Sequence, residues 1–293
     1  MQSFRAAAVT LNAILGDVRG NLDKIARWTA AAAAQGANFV LFPELCVNGH
    51  CDPDTHRHAE PIPGGPSTAA LHALASLHNL ILCAGLSERD GDAVYNTQIL
   101  IGPQGLIGKQ RKIHLSRDEV LYFQPGNAIE VFDLGFARAG ISICYDAWSP
   151  EVCRILAIQG AEVLLLPHAS RMKIWDDTPA SERAAAEFIS GYFRRIFPAR
   201  AIENAAYVIA VNQAGRAGTV SLYPPGHPNQ PHHAGGCFFF DPAGETLAAL
   251  PADAIREDML LATLDAAPLH AARSHPNYTI RTRRPALYSE LIR

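Results

Sequence analysis

Short, wholly apolar runs alternate with amphipathic helical segments along this chain, and no other feature narrows its fold so far. NFVLFP (Asn38 to Pro43) is too apolar to keep a solvated face and too short for a helix, so it reads as a strand covered on both sides. RAAAVTL (Arg5 to Leu11), LILCAGL (Leu80 to Leu86), Arg138 to Ile143, Glu162 to Leu166 and Tyr207 to Asn212 have the same character. Between them lie helical segments. The first takes Asn21 as N-cap, places Leu22, Ile25 and Trp28 at helical spacing, runs through an alanine block and stops at Gly36. Others run from about Ser67 to Asn79, from Pro150 to Gln159 and from Pro179 to Asn204. Tyr95 to Ile101 and Leu106 to His114 flank Gly-Pro-Gln-Gly and predict a hairpin. Cys237 to Phe240, Glu245 to Leu250 and Met259 to Leu264 are further strands. The sum is an α/β sandwich with mixed sheets, read as one domain over residues 1–293. The Pro-, Gly- and His-rich stretch Leu222 to Gly236 is expected on the surface.

Charge and cysteine usage exclude several roles. With 25 basic against 28 acidic residues the chain lacks the cationic surplus of a nucleic-acid binder. No apolar run approaches the roughly 20 residues of a membrane span, and Met1 to Thr10 does not read as a secretory signal. Six cysteines without a C-x-x-C pair point to a reducing compartment, so a cytoplasmic protein is expected.

Ligands of α/β sheets bind beyond the carboxyl ends of strands, which singles out reactive residues placed there. Glu44 follows FVLFP, Lys112 ends LIGKQRK, and Cys144 follows GISI. A thiol needs a base or a nearby cation to become a strong nucleophile. A glutamate can take its proton, and an ammonium can supply the charge and stabilise a developing oxyanion. The set suggests attack on a carbonyl or nitrile carbon. Each residue taken singly has a plainer reading: Glu44 as a turn carboxylate or helix cap, Lys112 as part of a solvated basic face, Cys144 as a small core residue like Cys83 and Cys237.

The surrounding words decide between these readings. FPEL (Phe42 to Leu45) with Asn48-Gly49, RKIHL (Arg111 to Leu115), GISICYDAWSPE (Gly140 to Glu151), RAIENAAYVIAVNQAG (Arg200 to Gly215) and GGCFFFDPAGE (Gly235 to Glu245) occur in order. Together they resemble the carbon–nitrogen hydrolase family, also called the nitrilase superfamily, from about Phe4 to RRPALY (Arg283 to Tyr288). The resemblance implies a four-layer α-β-β-α sandwich with two mixed sheets and a C-terminal extension from about residue 266. It implies Glu44 as general base, Lys112 as oxyanion stabiliser and Cys144 as nucleophile. Glu119, in DEVLYFQPG beside Asp118, resembles a second, orienting glutamate, and the backbone N–H of Tyr145 would join the oxyanion hole. The implied chemistry is two-step acyl transfer through a thioester, with neither a metal nor an organic cofactor.

Members acting on nitriles commonly carry Trp-Glu after the cysteine, whereas Cys144-Tyr145-Asp146 is similar to the amidase and carbamoyl-hydrolase branches. A small linear amide or N-carbamoyl substrate is therefore expected. Pro167 to Phe197 is longer and more charged than the usual stretch before the RAIEN helix. Within it His168, Ser170 and Arg171 follow a strand end and are candidates to face substrate, with Arg171 suited to a carboxylate. His50 and Trp148 are candidate pocket residues, and Trp175 is a further aromatic that could line it. Alternatives are a nitrilase, an amide-forming acyltransferase and a catalytically silent scaffold of the same fold. A zinc hydrolase using His227, His232 and His233 has poor ligand spacing, and a serine hydrolase lacks its G-x-S-x-G. Related proteins pair through their helical layers, so a homo-oligomer is expected.

Overall fold

A computed structural model describes residues 1–50, 52–176, 178–251 and 255–292. In chain order the strands are β1 (Phe4–Thr10), β2 (Phe39–Leu41), β3 (Ile81–Asp90), β4 (Ala93–Gly102), β5 (Gly105–Arg111), β6 (Val131–Asp133), β7 (Arg138–Ile141), β8 (Val163–His168), β9 (Tyr207–Asn212), β10 (Ala214–Arg216), β11 (His232–Ala234), β12 (Cys237–Phe240), β13 (Thr246–Ala249) and β14 (Asp258–Leu264). The helices are α1 (Val18–Ala34), α2 (Thr55–His58), α3 (Pro66–His78), α4 (Pro150–Ile158), α5 (Pro179–Asn204), α6 (Ala266–Ser274) and α7 (Thr279–Thr282). Among the described residues there are two six-stranded sheets, ordered β14-β1-β2-β3-β4-β5 and β13-β12-β9-β8-β7-β6. Each has three parallel strands at its centre (β1-β2-β3 and β7-β8-β9) and antiparallel strands outside them.

The side-chain period of two explains why the central strands read as unbroken apolar runs. On β1, Ala6 and Ala8 enter the core between the sheets, while Ala7 and Val9 pack with Ile25 of α1 and Leu71 of α3. On β8, Val163 and Leu165 face the other sheet, and Leu164 and Leu166 pack with Phe193 and Phe197 of α5. Helices thus cover the outer face of each sheet and the two inner faces meet, which is the four-layer α-β-β-α arrangement. Leu269 of α6 closes one edge of the inter-sheet core. No helix among the described residues is long and apolar enough to cross a membrane.

Several boundaries differ from the sequence reading. Helix α1 is capped by Asp17, whose Oδ1 accepts the Gly20 N–H at 3.0 Å. Asn21 lies inside the helix and bonds the backbone of Ile14 and Val47 instead. Strand β3 continues to Asp90 because β4 pairs with it along its whole length. The end of the expected surface loop 222–236 is not on the surface: His232 and His233 are buried in β11, which pairs with β10. Cys51 lies outside the described residues, and the other five cysteines are free and buried.

Candidate active site

Beyond β2 the chain turns sharply, and Leu45 adopts a positive φ of 48°. The turn lies against Gly85 of β3, where a Cβ would meet the Leu45 nitrogen at 2.3 Å, so that position requires glycine. This packing holds Glu44 fully buried, and Gln213 Nε2 donates to its backbone carbonyl at 2.7 Å. Lys112, one residue past β5, is also fully buried; the solvated face open to it in the sequence is not realised.

Lys112 Nζ donates to Glu44 Oε1 at 2.6 Å and to Glu119 Oε2 at 2.6 Å. Asn96 Nδ2, from the middle of β4, donates to both carboxylates as well, at 2.7 and 3.0 Å. Burial opposes the charge of the Lys112 ammonium, but Glu119 and Glu44 prevail and hold its pKa well above the ordinary lysine value. Burial likewise opposes ionisation of Glu119, and the Lys112 charge, helped by His50, holds it well below the usual carboxylate range.

The two glutamates are not equivalent. Glu119 Oε2 also accepts from Ser116 N at 2.8 Å and Ser116 Oγ at 2.6 Å, and His50 Nε2 lies 3.6 Å from Oε1. Both its oxygens are engaged. Glu44 Oε2 is buried and has no hydrogen-bond partner among the described residues. One carboxylate is thus fastened, and the other keeps an oxygen available for a proton.

Cys144 opens a 3-10 turn just after β7 with φ 49°, a conformation rare for a side-chain-bearing residue and held here by the surrounding contacts. Asp146 in that turn accepts the N–H groups of Ile113 and His114, at 3.2 and 2.7 Å, and so ties the cysteine turn to the segment carrying Lys112. Arg200 Nε and Nη2 donate to the carbonyls of Ala147 and Trp148, both at 3.0 Å, and brace the turn from α5. Burial, reinforced by Glu44, pushes the Cys144 thiol up to about 12, so the resting thiol is protonated. The charges of Glu44 and Glu119 raise it and that of Lys112 opposes them.

Cys144 opens onto a cavity of about 890 Å³. His50, Tyr145, Trp148, Ser170 and Arg171 line it, as does Trp175 at its exposed mouth. Ser170 Oγ is 3.9 Å from Cys144 Sγ. His168 is different: β8 runs through it in register with Asn212, so it shares the face of Leu164 and Leu166. Its ring packs on Phe193 and Phe197, at 4.8 and 5.1 Å, and burial drops its pKa to about 3. It is a neutral core residue and does not face the cavity. The sequence reading gives no site role to Asn96, Ser116, Asp146 or Arg200; Asp146 and Arg200 lie inside the family words quoted above, and a polar Asn inside an apolar strand pattern is the signal at Asn96.

The three loop histidines do not converge. His232 pairs with Glu182 at 2.9 Å, His233 lies edge-on to His50, and His227 stacks on Tyr223. Among the described residues Glu44, His50 and Glu119 bring possible ligand atoms within 4.8 Å of one another. The Lys112 ammonium, at 2.6 Å from both carboxylates, already supplies the cation at that place.

Comparison with known proteins gives this arrangement a context. The family profile described as carbon-nitrogen hydrolase matches residues 5–274. A nitrilase of Pyrococcus abyssi is 34% identical over 215 residues, covering 72% of this chain and 75% of that protein. A citrullinase of Francisella tularensis is 32% identical over 288 residues, covering 93% of this chain and 93% of that protein. The crystal structure of a carbon-nitrogen hydrolase from Helicobacter pylori superposes with a TM-score of 0.84 at 25% identity, covering 100% of this chain and 99% of that one. By profile, by relatives over most of its length and by fold, the chain belongs to the carbon–nitrogen hydrolase family.

Proposed function

We propose that this chain is a cysteine hydrolase that cleaves a non-peptide C–N bond of small linear amides or N-carbamoyl compounds through a thioester. The observation that carries the reading is the cluster itself: a cavity-facing thiol beside a buried ammonium and a carboxylate with one uncommitted oxygen. A thiol held near 12 is a poor nucleophile, so its proton must leave as the new bond forms. Glu44 Oε2 takes that proton while Sγ adds to the carbonyl carbon. Lys112 and the Tyr145 backbone N–H stabilise the resulting oxyanion. Glu44 returns the proton to the departing nitrogen, the C–N bond breaks, and ammonia or an amine leaves a thioester on Cys144. Water, deprotonated by Glu44, adds to the thioester; the acid departs and Sγ regains its proton. From an N-carbamoyl substrate the enzyme-bound group is a carbamoyl, whose hydrolysis gives carbamic acid and then carbon dioxide and ammonia. Glu119, with both oxygens engaged, orients Lys112 and takes no proton. No cofactor enters these steps.

Support for the carbamoyl branch comes from the citrullinase relative, whose named substrate ends in a ureido group. The reading also includes a cytoplasmic location and a homo-oligomer; what supports the assembly is that Ile155, Ile158 and Ile202 leave apolar side chains on the outer helical layer. Light scattering at the monomer mass would refute the assembly.

The test is ammonia release from a panel of amides, ureido compounds and nitriles, with rapid quenching and intact-mass measurement. Turnover of an amide or ureido compound with a covalent adduct on Cys144, absent in Cys144→Ser, is expected. Turnover confined to nitriles, products formed only with added amines, or no adduct on any substrate would overturn the reading.

A further inference from the structure

His50 stands between the cavity and the charged cluster: it lines the cavity with Cys144, yet it is only 5% exposed. Its place is set by the same turn that carries Glu44. Gly49 N donates to the Leu45 carbonyl at 2.8 Å, Gly16 N to the Asn48 carbonyl at 2.9 Å, and Ser87 N to Asn48 Oδ1 at 2.8 Å. Gly49 has a φ of 80°, and a Cβ there would meet the Leu15 Cα at 2.8 Å, so the approach to His50 requires glycine.

From this position His50 Nε2 lies 3.6 Å from Glu119 Oε1, and a His50 ring nitrogen is within 4.8 Å of a carboxylate oxygen of Glu44 and of Glu119. On its other side the ring meets His233 edge-on, with centroids 6.4 Å apart. His233 is fully buried, and burial, with the charges of His50, Arg171 and His232, holds it well below the ordinary histidine value. It stays neutral. The ionisable groups around His50 are therefore Glu44, Lys112, Glu119 and Cys144 toward the cluster, and His233 behind it. Arg171 and His232, which act on His233, are themselves paired with Asp118 and Glu182.

Two carboxylates share one ammonium here, so they compete. Lys112 lies 2.6 Å from each, and Asn96 donates to each. Neither contact decides which glutamate receives the thiol proton. Ser116 holds Oε2 of Glu119, and His50 faces its Oε1. The two differ in kind. A hydroxyl keeps the same charge at every pH, whereas an imidazole gains one as the pH falls toward the range in which carboxylates take up protons. An imidazolium at ion-pair distance offsets the cost of burying a carboxylate.

Resting on the hydrolase reading above, we infer that His50 is a positioning residue for the proton transfer: in acid its imidazolium holds Glu119 anionic and paired with Lys112, so that Glu44 Oε2 remains the acceptor of the Cys144 proton. The imidazole takes up the proton that a carboxylate would otherwise take, and activity extends further into acid.

The full-length protein and its His50→Phe and His50→Gln variants are alkylated with iodoacetamide across a series from acid to neutral pH, and modification of Cys144 is followed by peptide mapping. Both variants remove the charge beside the carboxylates, which then accept a proton at a higher pH. The midpoint of the acid limb is expected to rise by about one pH unit in each. A merely structural role would lower the rate at every pH and leave that midpoint in place. The coupling is also read in reverse, with no change at position 50. Glu119→Gln is expected to lower the pH at which the His50 ring titrates by about one unit, measured by NMR of its ring protons. An unmoved or lowered alkylation midpoint in both His50 variants, or an unmoved ring titration in Glu119→Gln, would overturn the role of His50. The hydrolase reading fails separately, on the substrate panel above, and neither of these two measurements depends on turnover.

Discussion

Two buried clusters of charge stand beside the same cavity, and they are built differently. In the first, Lys112 sits 2.6 Å from each of two carboxylates, with Asn96 and Ser116 completing the hydrogen bonding and one oxygen of Glu44 left over. In the second, Arg171 and Asp118 approach only to 3.3 Å, and most of their polar atoms have no hydrogen-bond partner among the described residues. Asp118 and Glu119 are adjacent in the chain, yet one serves each cluster. A nearly saturated network fixes the position of its groups and leaves free only the atom that must exchange a proton. A half-satisfied one keeps buried polar atoms without partners, which is costly.

Removing the cation from the first cluster should have the largest effect. Lys112→Ala leaves two buried carboxylates without their counter-charge, which should cost about 3–5 kcal/mol of stability and abolish turnover. Denaturant midpoints measure the first; a loss under 1 kcal/mol would mean that the cluster is not held as described. Acid attacks the same cluster from the other side. Glu119 ionises well below its ordinary value near 4.5 in the folded state, so its stabilising contribution is complete above that pH and is lost as the pH falls toward the folded value. A stability profile that is flat from pH 6 to below pH 3 would contradict this.

Glu44→Gln should keep the fold, because Oε1 remains an acceptor for Lys112 and Asn96, but should slow acylation by about 10²- to 10⁴-fold. Single-turnover kinetics within a few-fold of wild type would remove Glu44 from the role of base. Asn96→Ala takes a donor from both carboxylates at once and should cost about 1–3 kcal/mol, less than the loss of Lys112. An equal or larger cost would shift the weight of the cluster from the ammonium to the amide. Cys153 is buried in the packing of α4 against its sheet and does not line the cavity. Cys153→Ser should leave kcat unchanged, and Cys144 rather than Cys153 should react first with iodoacetamide across a pH series; the reverse order would separate thiol access from the cavity.

Much of this was legible in the chain because its physics is local. A strand buried on both faces must be apolar throughout, so β1, β2, β8 and β9 announce themselves, and Glu44, Lys112 and Cys144 stand out where such runs end. Pro179–Asn204 is recovered with both its ends, and proline at its start is the local signal for the first of them. The α1 cap is a local misreading, since Asp17 accepts from Gly20 three positions on; in the others the partner lies far away in sequence. Asn96 reaches Glu44 across 52 positions and Asp146 reaches His114 across 32, and nothing at either end marks the pairing. His168 was placed beyond its strand, but pairing with β9 carries the strand through it, and the period of two turns its ring toward α5.

The sequence by itself determined the layered α/β fold, the family and the three reactive residue types, because burial pattern and strand-end placement are properties of short segments. Only the tertiary structure decided which glutamate keeps a free oxygen, which acid holds Arg171 and which polar residues complete each cluster. Hydrogen-bond satisfaction depends on atoms brought together from distant parts of the chain, and these become neighbours only when the two sheets pack.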